Sequence, residues 1–168
     1  MRGFLLDTNV LSEIRRAQCA AGVAAFAKTQ PVDLLFTTEI NIAEIRFGRN
    51  RAPTVERRNE IDAWLTSVVR PGFAERILPV SEDTFVIWRE TVEHGRSRNY
   101  THPEPDTLIA SVAKQHDLIM VTRDIRPFAE AGVPVLDPWT ARFLRADGKA
   151  STGVPLDSAA LLQFLITA

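Results

Sequence analysis

Four acidic residues, Asp7, Glu44, Asp106 and Asp124, stand where a folded chain has little use for a negative charge. Asp7 ends the apolar run Gly3-Phe4-Leu5-Leu6, and Asp124 closely follows Leu118-Ile119-Met120-Val121-Thr122. Taken alone, either can serve as a helix N-cap, since Asp is favoured there and the helix dipole welcomes negative charge. Glu44 conflicts with its own helix. On a wheel at about 100° per residue, Ile40, Ala43 and Phe47 fall within a ~60° arc and Glu44 lies ~40° from Ile40, which puts an acid on the predicted buried stripe. A carboxylate there is costly unless a cation or hydrogen-bond donors meet it, and pairing with a single arginine is the plain alternative. Asp106 shares a face with Ile109 and Ala113, although Glu104 and Pro105 already supply a helix start; its plain alternative is the helix dipole alone. Glu39 reads as ordinary first-turn charge.

If the four acids converge, they make a pocket in which the carboxylates cannot all stay ionised without a compensating cation. Oxygen-only ligation without His or Cys points to Mg²⁺ or Mn²⁺. An ion of that kind activates water and holds a phosphodiester oxygen, so the matching reaction class is metal-assisted phosphodiester hydrolysis. Thr8 and Thr122 bring hydroxyls beside the two strand-end acids, to orient a carboxylate or water, or simply to cap and pair. Arg46, Arg49, Arg51, Arg57 and Arg58 form a basic run that suits an RNA backbone, an acidic partner or a solvated face equally well.

The elements that must position these residues alternate. Phe4 to Leu6 predicts a buried strand and Thr8 onward a helix, with Thr8 and Asn9 as its first residues so that the Asp7 carboxylate stays free. Asp33 to Thr37 predicts a strand and Thr38 to Arg49 a helix. Pro53 opens another helix, with Val55, Ile61, Trp64, Leu65 and Val68 on its periodic face, closed by Pro71-Gly72. Arg76 to Val80 reads as a strand, and Ser81 caps a helix through Phe85, Trp88 and Val92 to His94. A helix over Asp106 to His116 precedes the strand Leu118 to Thr122. A short helix follows Asp124, and Val133 to Leu136 predicts a last edge strand. Short, wholly apolar strands between helices imply a parallel sheet covered on both faces, a three-layer α/β/α sandwich. After Trp139 the pattern weakens: Ala146 to Pro155 reads as a loop and Ser158 to Thr167 as a short apolar helix, of open role.

Composition sets the frame. The 168 residues carry a formal net charge of -1 and 45% apolar residues, which suits one soluble domain with a proper core. Of the 20 basic residues only Lys28, Lys114 and Lys149 are lysine, and arginine is the better bidentate ligand for phosphate. The single cysteine, Cys19, excludes an intrachain disulfide and reads as a small residue of an Ala-rich helix. Neither a signal peptide nor an apolar run of the ~18 residues a membrane span needs is visible, so a cytoplasmic protein is expected.

Four stretches together, LLDTNVLSE, TTEINIAEIRFG, PDTLIAS and LIMVTRD, closing on GVPVLDPW, resemble a PIN domain of the VapC type. The run VTRDIRPFAEAGVPVLDPW is most similar to the FitB-like subgroup. The resemblance covers residues 1–140, taken as the PIN domain, and leaves 141–168 as a C-terminal extension. It implies a five-stranded parallel sheet between helices, a homodimer, and a Mg²⁺- or Mn²⁺-dependent endoribonuclease serving as the toxin of a type II toxin–antitoxin pair. The family's acidic positions map onto Asp7, Glu44, Asp106 and Asp124, as metal ligands and catalytic residues, and its hydroxyl position onto Thr122. The implied partner is a cognate VapB- or FitA-like antitoxin, with RNA as substrate and operator DNA reached only through the antitoxin. Two other readings stay open at this level: a PIN-like scaffold of weak catalysis acting mainly in an antitoxin–DNA complex, and a DNA-directed flap-type nuclease, for which the chain looks short.

Overall fold

Two strands buried on both faces form the middle of the sheet, and their apolar runs are what make that position possible. In the computed structural model, which describes residues 3–167, the chain starts with β1 (Gly3–Leu6), α1 (Thr8–Ile14) and α2 (Ala21–Thr29). After a 3₁₀ turn at Val32–Leu34 come β2 (Leu35–Thr38), α3 (Glu39–Arg49) and α4 (Val55–Trp64), the last continued by a π-turn over Leu65–Val69 into the short α5 (Arg70–Phe73). A second 3₁₀ turn leads to β3 (Ile77–Leu78), α6 (Glu82–Ser97) and α7 (Glu104–Gln115). Then follow β4 (Leu118–Val121), α8 (Ile125–Glu130), β5 (Val135–Asp137), β6 (Arg142–Leu144), β7 (Ala150–Thr152) and α9 (Ser158–Thr167).

The sheet order is β3-β2-β1-β4-β5-β6-β7. The first five strands in that order are parallel, while β5–β6 and β6–β7 are antiparallel. The predicted five-stranded parallel sheet is thus the core of a seven-stranded mixed one. Side chains alternate between two apolar layers: Phe4, Leu6, Ile119 and Val121 join Val10, Phe26 and Ile45 on one face, and Leu5, Leu118 and Met120 join Ile109, Val112 and Phe128 on the other. Each such buried side chain contributes about 1.5–3 kcal/mol, which is why β1 and β4 tolerate no polar residue between their ends. The Phe4 and Phe26 rings meet edge-on at 5.1 Å and tie α2 to the sheet.

Between β1 and β4 the strand order changes direction. Loops at the carboxyl ends of such a pair diverge to opposite faces and leave a crevice, the usual ligand position of an open α/β sheet. The register pairs Leu6 with Val121, so Asp7 and Thr122 emerge side by side at that point, with the Asp7 N–H bonded to the Val121 carbonyl at 3.1 Å.

Several expectations need correction. Val133 to Leu136 is neither the last strand nor an edge, because β6 pairs with β5 on its outer side. The stretch read as a loop carries β7. The tail is part of the core: Phe143, Val154 and Leu161 are buried in the first apolar layer, and Phe143 meets Phe164 of α9 edge-on at 5.9 Å. Cys19 lies ahead of the Ala-rich helix, in the turn before α2, rather than within it. Pro71-Gly72 falls inside α5, which runs on to Phe73.

Candidate active site

Asp7 is the fixed point of the site. It is only 7% exposed, and each carboxylate oxygen accepts two hydrogen bonds. Oδ1 accepts from the Thr8 backbone N–H at 2.7 Å and from Asn41 Nδ2 at 3.3 Å; Oδ2 accepts from Thr122 Oγ1 at 2.6 Å and from Asn9 Nδ2 at 2.8 Å. The helix starts at Thr8 as expected, but the Thr8 bond makes Asp7 its N-cap, so the carboxylate is not left uncommitted. One oxygen faces the helix N-terminus while the other faces the strand-end hydroxyl, so the cap and the site share one side chain.

Thr122 is fully buried. It donates to Asp7 while accepting from Asn9 Nδ2 at 2.8 Å and from the Asp124 backbone N–H at 3.0 Å, which fixes both strand-end acids relative to each other. Asp124 stands at the start of α8 without capping it by its side chain, and accepts from Asn9 Nδ2 at 3.2 Å. Glu44 accepts from Thr8 Oγ1 at 2.8 Å, and Thr8 accepts in turn from Asn41 Nδ2 at 3.1 Å. Among the described residues no arginine pairs with Glu44, so its simple ion-pair explanation does not hold.

The face of α3 differs from the predicted one. Ala43 and Phe47 are exposed, Phe47 at 62%, and the buried residues are Asn41, Ile42 and Ile45. Glu44 is half-buried at the edge of that stripe, looking across to α1. Asp106 meets its expectation more directly: it sits half-buried in the first turn of α7, above the fully buried Ile109 and Ala113. Glu39 is exposed, as an ordinary first-turn charge should be.

Electrostatics join the four acids. Burial pushes the Asp7 carboxyl up to about 6, and Glu44 and Asp106 push it further in the same direction, against the opposing hydrogen bonds from Thr122 and Thr8. Burial, then Glu44, then Asp124 raise Asp106 as well. Asp106 is thus coupled to Glu44 and Asp124, and Asp7 to Glu44 and Asp106, at the edge of the protein where burial weakens solvent screening. Among the described residues no set of three or more Asp, Glu, His or Cys side chains is gathered tightly enough to hold an ion unaided. Mg²⁺ needs only one or two direct carboxylates and fills its octahedron with water, so the oxygen-only donor set suits it. Asn9 supports that fit. Its Nδ2 reaches Asp7, Thr122 and Asp124 with only two hydrogens to give, while its Oδ1 is buried without a partner. The amide provides the positive pole between two carboxylates that a divalent ion would otherwise supply.

Asn9 and Asn41 are the site residues that sequence reasoning missed. Asn41 carried a signal, since it lies three residues after Thr38 and completes a reciprocal capping box with it. Its amide nitrogen is then left to turn toward Asp7. Of the basic run, only Arg57 lines the cleft that opens from the acids. That cleft, about 760 Å³, holds Thr8 and Glu44 at one end and Arg15, Arg57, Trp64 and Arg123 along its walls. Arg49 instead pairs with Asp62 at 2.7 Å, Arg51 lies over the Phe47 ring, and Arg58 donates to the Ala52 carbonyl.

Comparison with known proteins agrees with this fold. The sequence profile of the PIN domain matches residues 4–134. VapC ribonuclease Y4jK of Sinorhizobium fredii is 32% identical over 135 residues, which cover 80% of this chain and 96% of that protein. Toxin FitB of Neisseria gonorrhoeae is 33% identical over 135 residues, 80% of this chain and 97% of its own length. Among solved structures, FitAB bound to an IR36 DNA fragment superposes with a TM-score of 0.75 at 32% identity, covering 81% of this chain and 95% of that one. With its acids at the β1/β4 crevice and these relatives matched nearly from end to end, the chain belongs to the PIN domain family.

Proposed function

We propose that the protein is a Mg²⁺- or Mn²⁺-dependent endoribonuclease and the toxin of a toxin–antitoxin pair. The observation that carries this reading is the meeting of two features: an acid cluster at the crevice between β1 and β4, and a cleft with arginine-bearing walls that reaches it at Glu44, Thr8 and Asn9. Asp7, Glu44, Asp106 and Asp124 would hold the ion, some of them through water. The bound ion supplies charge neutralisation at the phosphate and a lower pKa for an attacking water.

The chain's own residues prepare that chemistry. Thr122 and the Thr8 N–H hold Asp7 in one rotamer, so its carboxylate does not have to be ordered when substrate arrives. The Asn41 to Thr8 to Glu44 relay sets Glu44 across the pocket from Asp7. Asn9 bridges Asp7 and Asp124 and must yield its amide hydrogens when a cation takes their place. Burial keeps the Asp7 proton on until about pH 6 in the metal-free protein, so binding of a cation there would release a proton below that pH.

The names of the relatives support the biological half: one is called a ribonuclease, another a toxin, and a matching structure is a FitAB complex on DNA. On that basis the protein works in the cytoplasm as a homodimer, is neutralised by a VapB- or FitA-like antitoxin and meets operator DNA only through it. Among the described residues no helix is long and apolar enough to cross a membrane. The test is direct. Purified protein free of antitoxin should cut RNA with Mg²⁺ or Mn²⁺, leave 5′-phosphate and 3′-hydroxyl ends, and stop with EDTA. Cleavage by Asp7→Asn at the wild-type rate would overturn the site assignment.

A further inference from the structure

The cleft that borders the acids at Glu44 extends well beyond them. Helix α1 runs along it, with Thr8 beside Glu44 at its first residue and Arg15 at its C-cap. Seven residues of helix separate the two ends by about 10 Å. A strand with its scissile phosphate at the acids must therefore pass Arg15 with a neighbouring phosphate rather than with the scissile one. At that far end Arg57 faces Arg15, and both lean on one carboxylate: Glu60 lies 2.7 Å from Arg57 Nη1 and 3.8 Å from Arg15 Nη2. Two guanidinium groups share a single acid, which leaves one positive charge uncompensated at the cleft wall. Trp64 holds the arrangement, because the Arg15 guanidinium stacks over its indole at 5.2 Å and cannot fold away into solvent. The other cleft arginines are committed elsewhere: Arg16 pairs at 3.0 Å with the nearly buried Glu13, which also accepts from the Ala20 N–H, and Arg123 lies over the Trp139 ring.

Resting on the ribonuclease reading, we propose that Arg15 and Arg57 form a phosphate clamp that grips a non-scissile phosphate of the RNA strand, with Trp64 as the residue that positions Arg15. Neutralising a phosphate next to Glu60 restores the charge balance that the pair lacks, and a guanidinium presents the bidentate fork that phosphate fits. Phosphate contacts fix register and affinity and read no sequence. The clamp thus sets how long a substrate must be, and leaves the choice of bases to the remainder of the cleft.

The test uses the full-length protein, a fluorescein-labelled single-stranded oligoribonucleotide and a dinucleotide holding only the scissile phosphate. Arg15→Ala and Arg57→Ala should each weaken oligonucleotide binding about tenfold by anisotropy in EDTA. They should raise KM on the long substrate with little change in kcat, and leave dinucleotide cleavage as in the wild type. The double variant should lower the slope of log K against log salt by about 1.4, since each phosphate contact on a single strand contributes about 0.7. Arg96→Ala, which removes an exposed charge on α6, is the control for net charge, and Trp64→Phe should give a smaller loss than Trp64→Ala. Unchanged binding and salt slope in the double variant overturn the clamp, as does an equal loss of dinucleotide cleavage. RNA that binds the wild type, loses affinity in the variants and is never cut with Mg²⁺ or Mn²⁺ supports the clamp and sinks the ribonuclease reading instead. A wild type that binds no oligonucleotide sinks the clamp.

Discussion

Replacing Asp7 by Asn should kill activity and make the protein more stable at neutral pH. The folded protein keeps a proton on Asp7 up to about pH 6, whereas the unfolded chain releases it near 3.8. Between those values the folded state binds more protons, so the contribution of Asp7 to stability is highest below about pH 4, falls as pH rises, and reaches its floor once pH passes 6. A shift from 3.8 to about 6 corresponds to about 3 kcal/mol at pH 7.5. Asn is as good an N-cap as Asp, so the bond from the Thr8 N–H survives. The amide cannot accept from both Thr122 and Asn9, and that loss costs about 1–2 kcal/mol. The net gain is about 1–2 kcal/mol, or roughly 3–6 °C in Tm for a domain of this size. Thermal melts of both proteins in EDTA between pH 4 and 8 read this directly: the Asp7→Asn variant should melt higher at pH 7.5, and the advantage should vanish or reverse near pH 4. Excess Mg²⁺ should raise the wild type, by about 2.7 kcal/mol at a hundredfold excess over Kd, and the variant much less. A variant that melts at or below the wild type at pH 7.5 in EDTA would refute the claim that Asp7 is held at an electrostatic cost.

Three further outcomes are expected. Thr122→Val removes a hydroxyl whose bond lowers the Asp7 pKa, so the acid limb of the pH–rate profile for RNA cleavage should move to higher pH; an unmoved limb means Thr122 does not tune Asp7. Phe143→Ala empties a fully packed position between β5 and α9 and should cost about 3–5 kcal/mol, roughly 10 °C by calorimetry, while truncation after Thr140 should leave an aggregating protein by size-exclusion chromatography. Gly22→Ala would set a Cβ 2.0 Å from the Pro138 carbonyl oxygen, backbone against backbone, so chemical denaturation should show a loss of about 1–3 kcal/mol.

The parts of the fold legible in the sequence are those whose burial is two-sided. β1 and β4 are unbroken apolar runs because helices cover both their faces, and the acids beyond their ends stand out against that background. β6 and β7 were not legible for the opposite reason. Each has three residues, β6 buries only Phe143, and Ala150-Ser151-Thr152 offers no large apolar side chain to read. Val133 to Leu136 is the last apolar run before the pattern weakens and so reads as an edge, yet the sheet continues through the antiparallel hairpin that follows. Helix α3 misled the wheel because polar residues occupy its inner positions: Thr38 and Asn41 are buried by bonding to each other, and Asn41 also bonds to Asp7 and Thr8. A hydrophobicity average then swings toward Phe47, which is exposed. Glu44 still reaches the candidate site through its bond from Thr8, since it sits beside that polar stripe rather than on an apolar one.

The same physics makes acids more legible in a sequence than arginines. A carboxylate at a strand end or on an inner helix face breaks a local rule, and the break is visible within a few residues. An arginine beside a cleft breaks none. Arg46 to Arg58 reads as one basic run, but the turn after Arg49 and the capped start of α4 at Thr54 scatter it, and only Arg57 turns inward. Its counterpart, Arg15, belongs to a different helix, and the two meet only because α4 packs where Trp64 can hold Arg15 from below. The residues expected to carry the reaction are thus set by local conflict in the sequence, whereas those expected to hold the substrate arise from tertiary packing. Substitutions at Asp7 and at Arg15 should separate accordingly: the first abolishes turnover and raises stability, and the second weakens binding and leaves turnover of the shortest substrate intact.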